Sequence, residues 1–454
     1  MRYVLVSSRH HPGQGGIGAY VAAFVEAGAR HGWRIDLITR PGAHAPRGAV
    51  VHAVETADRS PAFARRLSVL RELEVVRPYR YGLWSLAAAR KLLELNERPD
   101  AIEFVDSQAE GYVSLCSARV RVRYAGVPMI VHAHTTMAVV ESLNRSDDAR
   151  FGRGIYHAWE RAALEAADAI IAPSARASRT LAAGSTVVRV PPPVRGATPG
   201  GRVRSKRIVV LGTIEPAKGV DIWCRSLNTV LRERPDAEAL LVGPDTSHGP
   251  DGASCAACCR DLLAPALRGR LRITGPVAYP DAVRILNRAA LVVVPSLHES
   301  FSYVAADAVV RRRPVLLSDR VGLHEYAPQL EVYPADDQDA LALAQLRALD
   351  DPAGGRSRVD AARRHLLRSC SPSRHIAAKR RLIERLNCRE TRYGRARADD
   401  AIDLMESFLR SVEARERVHR VSAQAPSPSE VLSRQRAASG AGHTPDRYIR
   451  AAHT

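Results

Sequence analysis

Short runs of apolar, often β-branched residues alternate along this chain with longer stretches in which apolar positions recur every three or four residues. The pattern occurs twice. In the first half it predicts strands at 3–8, 34–40, 101–106, 129–135 and 169–174, with helices between them. One of these helices, "GAYVAAFVEAGARHG" (18–32), ends on Gly32, as a helix C-terminus commonly does. In the second half strands fall at 207–213, 237–243, 271–275, 290–296 and 314–319. Continuous apolar strands separated by helices belong to parallel sheets covered on both faces. Two such series predict an α/β chain with two Rossmann-like domains.

The Pro-, Gly- and Arg-rich stretch "RVPPPVRGATPGGRVRSKR" (189–207) reads as the join between them. The domains are therefore set at 1–195 and 196–370, followed by a helix at 371–390 expected to pack back toward the first domain. The tail, 391–454, has one helical pattern at 399–418 and otherwise the composition of disorder.

Composition narrows the picture. Hydrophobic residues make up 46% and charged residues 25%, as in soluble globular proteins, and aromatics only 5%. The formal charge of +19 invites a nucleic-acid or membrane partner. No basic stripe interleaved with aromatics supports nucleic acid, so none is expected. The basic stretch at 61–95 has the make-up either of a surface that docks on anionic lipid or of packed helices with solvated arginines. Arg311, Arg312 and Arg313 read as a solvated turn. Only four of the 67 basic residues are lysines, namely Lys91, Lys206, Lys218 and Lys379. That preference for arginine, beside so much alanine, points to a GC-rich bacterial genome. The N-terminus lacks signal-peptide character, and no apolar stretch is long enough to span a membrane. The expected location is the cytoplasm, or the inner membrane face. Seven cysteines suggest no disulfide framework, and Cys255, Cys258 and Cys259 read as starting a helix and not as a zinc site.

Ligands of open α/β sheets bind beyond the carboxyl ends of the strands, so the residues there carry the chemistry. After "RIVVL" comes "GTIEPAKGVDIW" (212–223), where Lys218 and Gly219 precede a helix: a cation beside free helix-start N–H groups makes an anion site. After "ALVVVPS" comes "LHESFSYVAADAVV" (297–310). Glu299 lies in the loop, and Asp307 about two turns into an otherwise apolar helix. Two carboxylates at different depths suit a ligand with several hydroxyl donors. In "MIVHAHT", His134 is nearer the strand end than His132 and is the better candidate for a ligand contact. The acidic run "DDQD" (336–339) reads as a helix cap, and no metal site is predicted.

Taken in order, "GGIGAYVAAFVEAGARHGWRIDLIT", "PDAIEFVDSQAEGY", "PMIVHAHT", "WERAALEAADAIIAPS", "LGTIEPAKG" and "PSLHESFSYVAADA" resemble the retaining glycosyltransferases of family 4. Their GT-B fold sets two Rossmann-like domains across a cleft. The resemblance covers most of residues 1–388. It implies an acceptor-binding domain at 1–195 and a nucleotide-sugar-binding domain at 196–370. Lys218 would bind the donor diphosphate, with Gly15 and Gly16 close by across the cleft and Thr213 and Gly219 in the same turn. Glu299 would contact the sugar, helped by the N–H groups of Ser300, Phe301 and Ser302. Asp307 would accept from the ribose hydroxyls, and His134 would lie by the transferred sugar. His134, Lys218 and Glu299 are thus the implied catalytic set. The family commonly has Glu at Asp307, Gly at Ser302 and a basic residue at Thr213 or Ala217. The implied function is metal-independent transfer from a nucleoside diphosphate sugar, UDP preferred to GDP, with no cofactor. The acceptor would be a glycan, a lipid or a small molecule, as in cell-surface glycan, glycolipid or glycoside synthesis. The alternative is a nucleotide-sugar-binding partner subunit that has lost transfer.

Overall fold

A computed structural model describes residues 1–42, 46–56, 61–72, 75–144, 151–181, 186–201, 203, 206–388 and 400–424. The first sheet contains β1 (Arg2–Val6), β2 (Arg34–Thr39), β3 (Ala49–Ala53), β4 (Ala101–Val105), β5 (Met129–His132), β6 (Ala169–Ala172) and β7 (Val187–Arg189). Its order is β3-β2-β1-β4-β5-β6-β7, parallel throughout. The second contains β8 (Lys206–Leu211), β9 (Ala237–Val242), β10 (Leu271–Thr274), β11 (Leu291–Val294), β12 (Val315–Ser318) and β13 (Glu331–Tyr333). It runs β10-β9-β8-β11-β12-β13, also parallel. Both orders are doubly wound. Their topological switch points, where outgoing loops diverge and leave a crevice, lie between β1 and β4 and between β8 and β11.

All ten predicted strands are present. The three not predicted, β3, β7 and β13, lie at sheet edges. Central strands such as β4, β6 and β11 are buried at every residue, which produces the continuous apolar runs. The edge strand β3 is largely exposed, and β7 and β13 have only three residues each. The first helix, Gly15–Arg30, begins three residues before the predicted start and stops ahead of Gly32, whose φ of 72° suits glycine.

Two later helices return to the first domain. Pro372–Asn387 places Ile376, Leu382 and Ile383 in the core beside Tyr3 and Phe24. Inside that core Lys379 forms an ion pair with Glu103 of β4, and both are almost wholly buried. The hydroxyls of Tyr3 and Tyr20 each donate to Glu103 at 2.5 Å, and Lys379 Nζ donates to Tyr20 at 2.7 Å. Ala401–Gln424 lies in the segment expected to be only partly ordered, yet it packs closely on the helices Pro61–Glu72 and Val76–Glu94. A side chain on Gly82 would come within 2.6 Å of Met405 Sδ. Phe63, Leu70 and Trp84 are buried in the same cluster as Met405 and Leu409. This apolar cluster is therefore filled from within the chain. The rest of the tail, 391–399 and 425–454, lies outside the described residues.

The turn read as solvated is so only at Arg312, which is exposed. Arg311 reaches Asp307, Arg312 pairs with Asp360, and Arg313 is buried against the carbonyls of Gly200 and Gly201. Asp337 caps the helix Gln338–Asp350, as the acidic run predicts. Cys255, Cys258 and Cys259 are free thiols at the start of Cys255–Asp261. Among the described residues no helix is long and apolar enough to cross a membrane, and no cluster of three or more metal-binding side chains occurs.

Candidate active site

At the second switch point the chain leaves β8 through Gly212 and Thr213 and makes a short 3-10 turn, Pro216–Lys218. It then enters the helix Val220–Glu233. Thr213 is half-buried in this turn. Gly219 joins the turn to the helix with φ 62°, and a Cβ there would lie 2.0 Å from the carbonyl oxygen of Pro295, just beyond β11. Only glycine lets the two loops approach so closely. The approach brings Lys218 Nζ to 2.6 Å from Glu299 Oε1, which also accepts from Ser296 Oγ at 3.2 Å. Burial works to lower the Lys218 pKa, but the Glu299 carboxylate more than offsets it, and the ammonium is held charged.

The loop after Glu299 is fixed from behind. Gly322 N donates to Glu299 O at 2.9 Å, Leu323 N to Phe301 O at 3.0 Å, and Ser174 Oγ to Ser300 O at 2.6 Å. The N–H groups of Ser300, Phe301 and Ser302 donate to no acceptor among the described residues, which leaves three successive donors for a ligand. Ser302 adopts φ 91°, a strained conformation for a residue with a side chain, at the cap of Tyr303–Val310. Its hydroxyl accepts from Ala305 N at 3.3 Å, so it is committed to the helix and not free to crowd a sugar. Ser302→Gly should relieve the strain and lose little of the cap. The free energy of unfolding is expected to rise by about 1 kcal/mol, read from urea denaturation.

Asp307 lies just over one turn into its helix, not two, because the helix starts at Tyr303. Its carboxylate accepts from Tyr279 Oη at 3.1 Å and Arg311 Nη1 at 3.3 Å, and burial raises its pKa. None of the hydrogen bonds among the described residues joins Asp307 or His134 to the Lys218–Glu299 pair.

At the first switch point the chain leaves β1 through a polar loop. Gln14 Oε1 accepts from His10 N at 2.8 Å and His11 N at 3.0 Å, which folds the loop into the helix Gly15–Arg30. Gly15 has φ 86°, and a Cβ on Gly15 or Gly16 would meet nothing within 4 Å, so open space lies over the turn. His134 lies two residues beyond β5. Its ring stacks on His132 with centroids 4.8 Å apart, and its backbone N–H donates to Asp106 at 2.9 Å. Burial pushes the His134 pKa well down, so the ring is neutral, and its Nε2 has no partner among the described residues. His132 is buried against Glu103.

Four further elements carry the site and were not singled out in the sequence. Glu160 accepts from Met137 N and Gln108 N, both at 2.9 Å, tying together the loops after β4 and β5. Burial and the neighbouring Asp106 carboxylate push Glu160 up to about 8, and burial pushes Asp106 up to about 7. Gln108 and Ala109 in the same loop have φ of 63° and 54°, outliers of a kind that concentrates at functional sites. Ser174 spans the two domains through Ser300. Glu325 accepts from the N–H groups of Ala175 and Arg176 at 2.8 and 3.0 Å. Asn144 reaches across to the Lys218 turn. Glu160 and Ser174 stand within the quoted run "WERAALEAADAIIAPS", so a signal for them was present; Asn144 had none.

Two Rossmann-like domains meeting over a lysine, a carboxylate and a row of free N–H groups define the GT-B class. The model for "Glycosyltransferase Family 4" matches residues 14–195 and that for "Glycosyl transferases group 1" matches residues 205–351. The chain belongs to this family. It is 31% identical over 222 residues to a D-inositol 3-phosphate glycosyltransferase of Kineococcus radiotolerans, an alignment covering 43% of this chain and 50% of that protein. It is 28% identical over 172 residues to a glycogen synthase of Mycobacterium tuberculosis, covering 36% and 39%. These alignments span about half or less of each relative. Among solved structures, sucrose-phosphate synthase from Thermosynechococcus elongatus superposes with a TM-score of 0.62 at 20% identity, over 85% of this chain and 98% of that one. A trehalose-phosphate synthase from Burkholderia xenovorans gives 0.61 at 14% identity, over 85% and 100%. Both likenesses establish the fold.

Proposed function

We propose that this chain transfers a sugar from a nucleoside diphosphate donor, UDP before GDP, to an acceptor hydroxyl with retention of configuration. The observation that carries the reading is the Lys218–Glu299 pair at 2.6 Å, flanked by three unpaired N–H groups at the second switch point. In this reading the bond from the anomeric carbon to the β-phosphate oxygen breaks first. Lys218 and the helix start at Val220 take up the negative charge that develops on the diphosphate. The acceptor oxygen then bonds to the same face of the anomeric carbon, and its proton passes to the leaving phosphate. Glu299 and the N–H groups of Ser300 to Ser302 hold the sugar, Asp307 the ribose, and His134 the wall of the cleft. The acceptor lies on the first domain, above the loops that Glu160 ties together. Charge neutralisation by Lys218 and amides assigns no step to a metal.

A second reading is a nucleotide-sugar-binding partner subunit. It is favoured by the engagement of Asp307 with Tyr279 and Arg311. Slow hydrolysis of the donor, which a pure binder lacks, separates the two. Calorimetric titration with UDP, GDP and ADP tests the shared core of both readings. Micromolar binding of one nucleotide is expected, weakened about ten- to a hundredfold in Lys218→Ala by loss of a charged hydrogen bond. Binding that survives the substitution unchanged would overturn the assignment of Lys218.

A further inference from the structure

Asn144 ends the short helix Met137–Leu143 of the first domain, its N–H donating to Val140 O at 3.0 Å. Its side chain, in a residue only 2% exposed, makes two hydrogen bonds to the second domain. Nδ2 donates to Glu215 Oε2 at 3.0 Å, and Oδ1 accepts from Ala217 N at 2.8 Å. Glu215 and Ala217 belong to the turn that carries Lys218, and Lys218 N itself donates to Glu215 O at 3.0 Å. The other end of the helix is held by Glu160, which accepts from Met137 N and binds the strained loop at Gln108. In the middle, Glu141 accepts from Arg77 at 2.5 Å and His157 at 2.9 Å. The helix is a strut between the loops of the first switch point and the Lys218 turn of the second.

We propose that Asn144 is a positioning residue: it latches the first domain to the Lys218 turn, so that the ammonium is in place for a diphosphate only when the domains are closed on each other. The inference rests on the reading of Lys218 as the diphosphate contact. An amide suits the task because it must donate to a carboxylate and accept from an N–H at once. Asparagine presents the donor and the acceptor on separate atoms, whereas a threonine hydroxyl would have to serve both partners from one oxygen. An aspartate in its place would set a second carboxylate against Glu215, and among the described residues His248, 3.9 Å from Glu215, is the basic group within ion-pair distance to soften the repulsion. Coupling of this kind makes nucleotide affinity depend on a side chain that lies on the opposite domain from the nucleotide.

The test uses the full chain and a swap of polarity. Asn144→Asp should weaken UDP binding by about tenfold, because the bond donated to Glu215 is lost and replaced by repulsion. It should also increase the radius of gyration in small-angle X-ray scattering, as the domains part. Adding Glu215→Gln restores the bond to residue 215 with donor and acceptor exchanged, because the new amide donates to the new carboxylate, while the bond from Ala217 N needs only an acceptor oxygen at position 144. The double variant should recover wild-type affinity and radius. Asn144→Ala, which lacks the repulsion, should fall between and serves if the aspartate variant does not fold. A double variant that binds no better than Asn144→Asp, or a single one that keeps wild-type affinity and radius, overturns the latch. If no nucleotide binds even the wild type while the radius still expands and recovers, the latch stands and the diphosphate reading falls.

Discussion

Replacing Lys379 by methionine is expected to lower the free energy of unfolding by about 3–5 kcal/mol, the penalty for leaving a buried charge without its partner. Glu103 lies in the middle of the first sheet and is inaccessible to solvent. Its neighbours are Lys379, the hydroxyls of Tyr3 and Tyr20, and the His132 ring at 3.6 Å. Burial pulls Lys379 down to about 8 and Glu103 holds it up, while Lys379 and His132 keep Glu103 well below the usual carboxylate range. Without the ammonium, two tyrosine donors remain, too few to stabilise the anion in that setting, and the carboxyl must take a proton or the helix must leave. The loss should therefore shrink at low pH, where protonation is cheap. Glu103→Gln added to Lys379→Met should recover most of the stability, since a neutral amide accepts the tyrosine hydroxyls with no charge to desolvate. Urea denaturation followed by tryptophan fluorescence, to which Trp33 packed on Tyr3 contributes, reads both variants. A single variant as stable as wild type would show that other contacts alone dock the helix Pro372–Asn387.

That network also marks how far the sequence could be read. Glu103 appears there as one acid inside "AIEFVD" and Lys379 as one of four lysines, both odd in place or kind. Nothing in either stretch says that the two meet, since 276 residues separate them and only the return of a late helix joins them. The nine central strands were legible because burial on two faces leaves an unbroken apolar run, and the edge strand β10 was legible as well. The other three edge strands were not, because they are short or exposed on one side. Lys218 and Glu299 stood out in the sequence for a related reason, since a polar residue beyond such a run has no packing reason to be there, and the structure brings the two together. Arg313 was misread because charge alone suggests solvent, and its burial depends on the carbonyls of Gly200 and Gly201 in the linker. Asn144 carried no local signal, because both of its partners lie in the other domain.

Glu299→Gln should separate binding from transfer. In the structure Glu299 Oε1 holds Lys218 Nζ, so a diphosphate competes with this carboxylate for the ammonium. The glutamine variant removes the competing charge and keeps the shape of the loop, whose backbone is fixed through Gly322 and Arg320. Affinity for UDP, which has no sugar, is therefore expected to stay equal or to tighten. Transfer should fall by about a hundredfold, roughly 3 kcal/mol of barrier, because an amide cannot replace a carboxylate aimed at the sugar where positive charge develops. The two effects have opposite signs only if Glu299 acts on the sugar itself. If its role is to aim Lys218, then UDP affinity and turnover fall together, and the variant behaves as a weaker copy of Lys218→Ala. Titration with UDP beside a donor-consumption assay on the same preparation distinguishes the two roles.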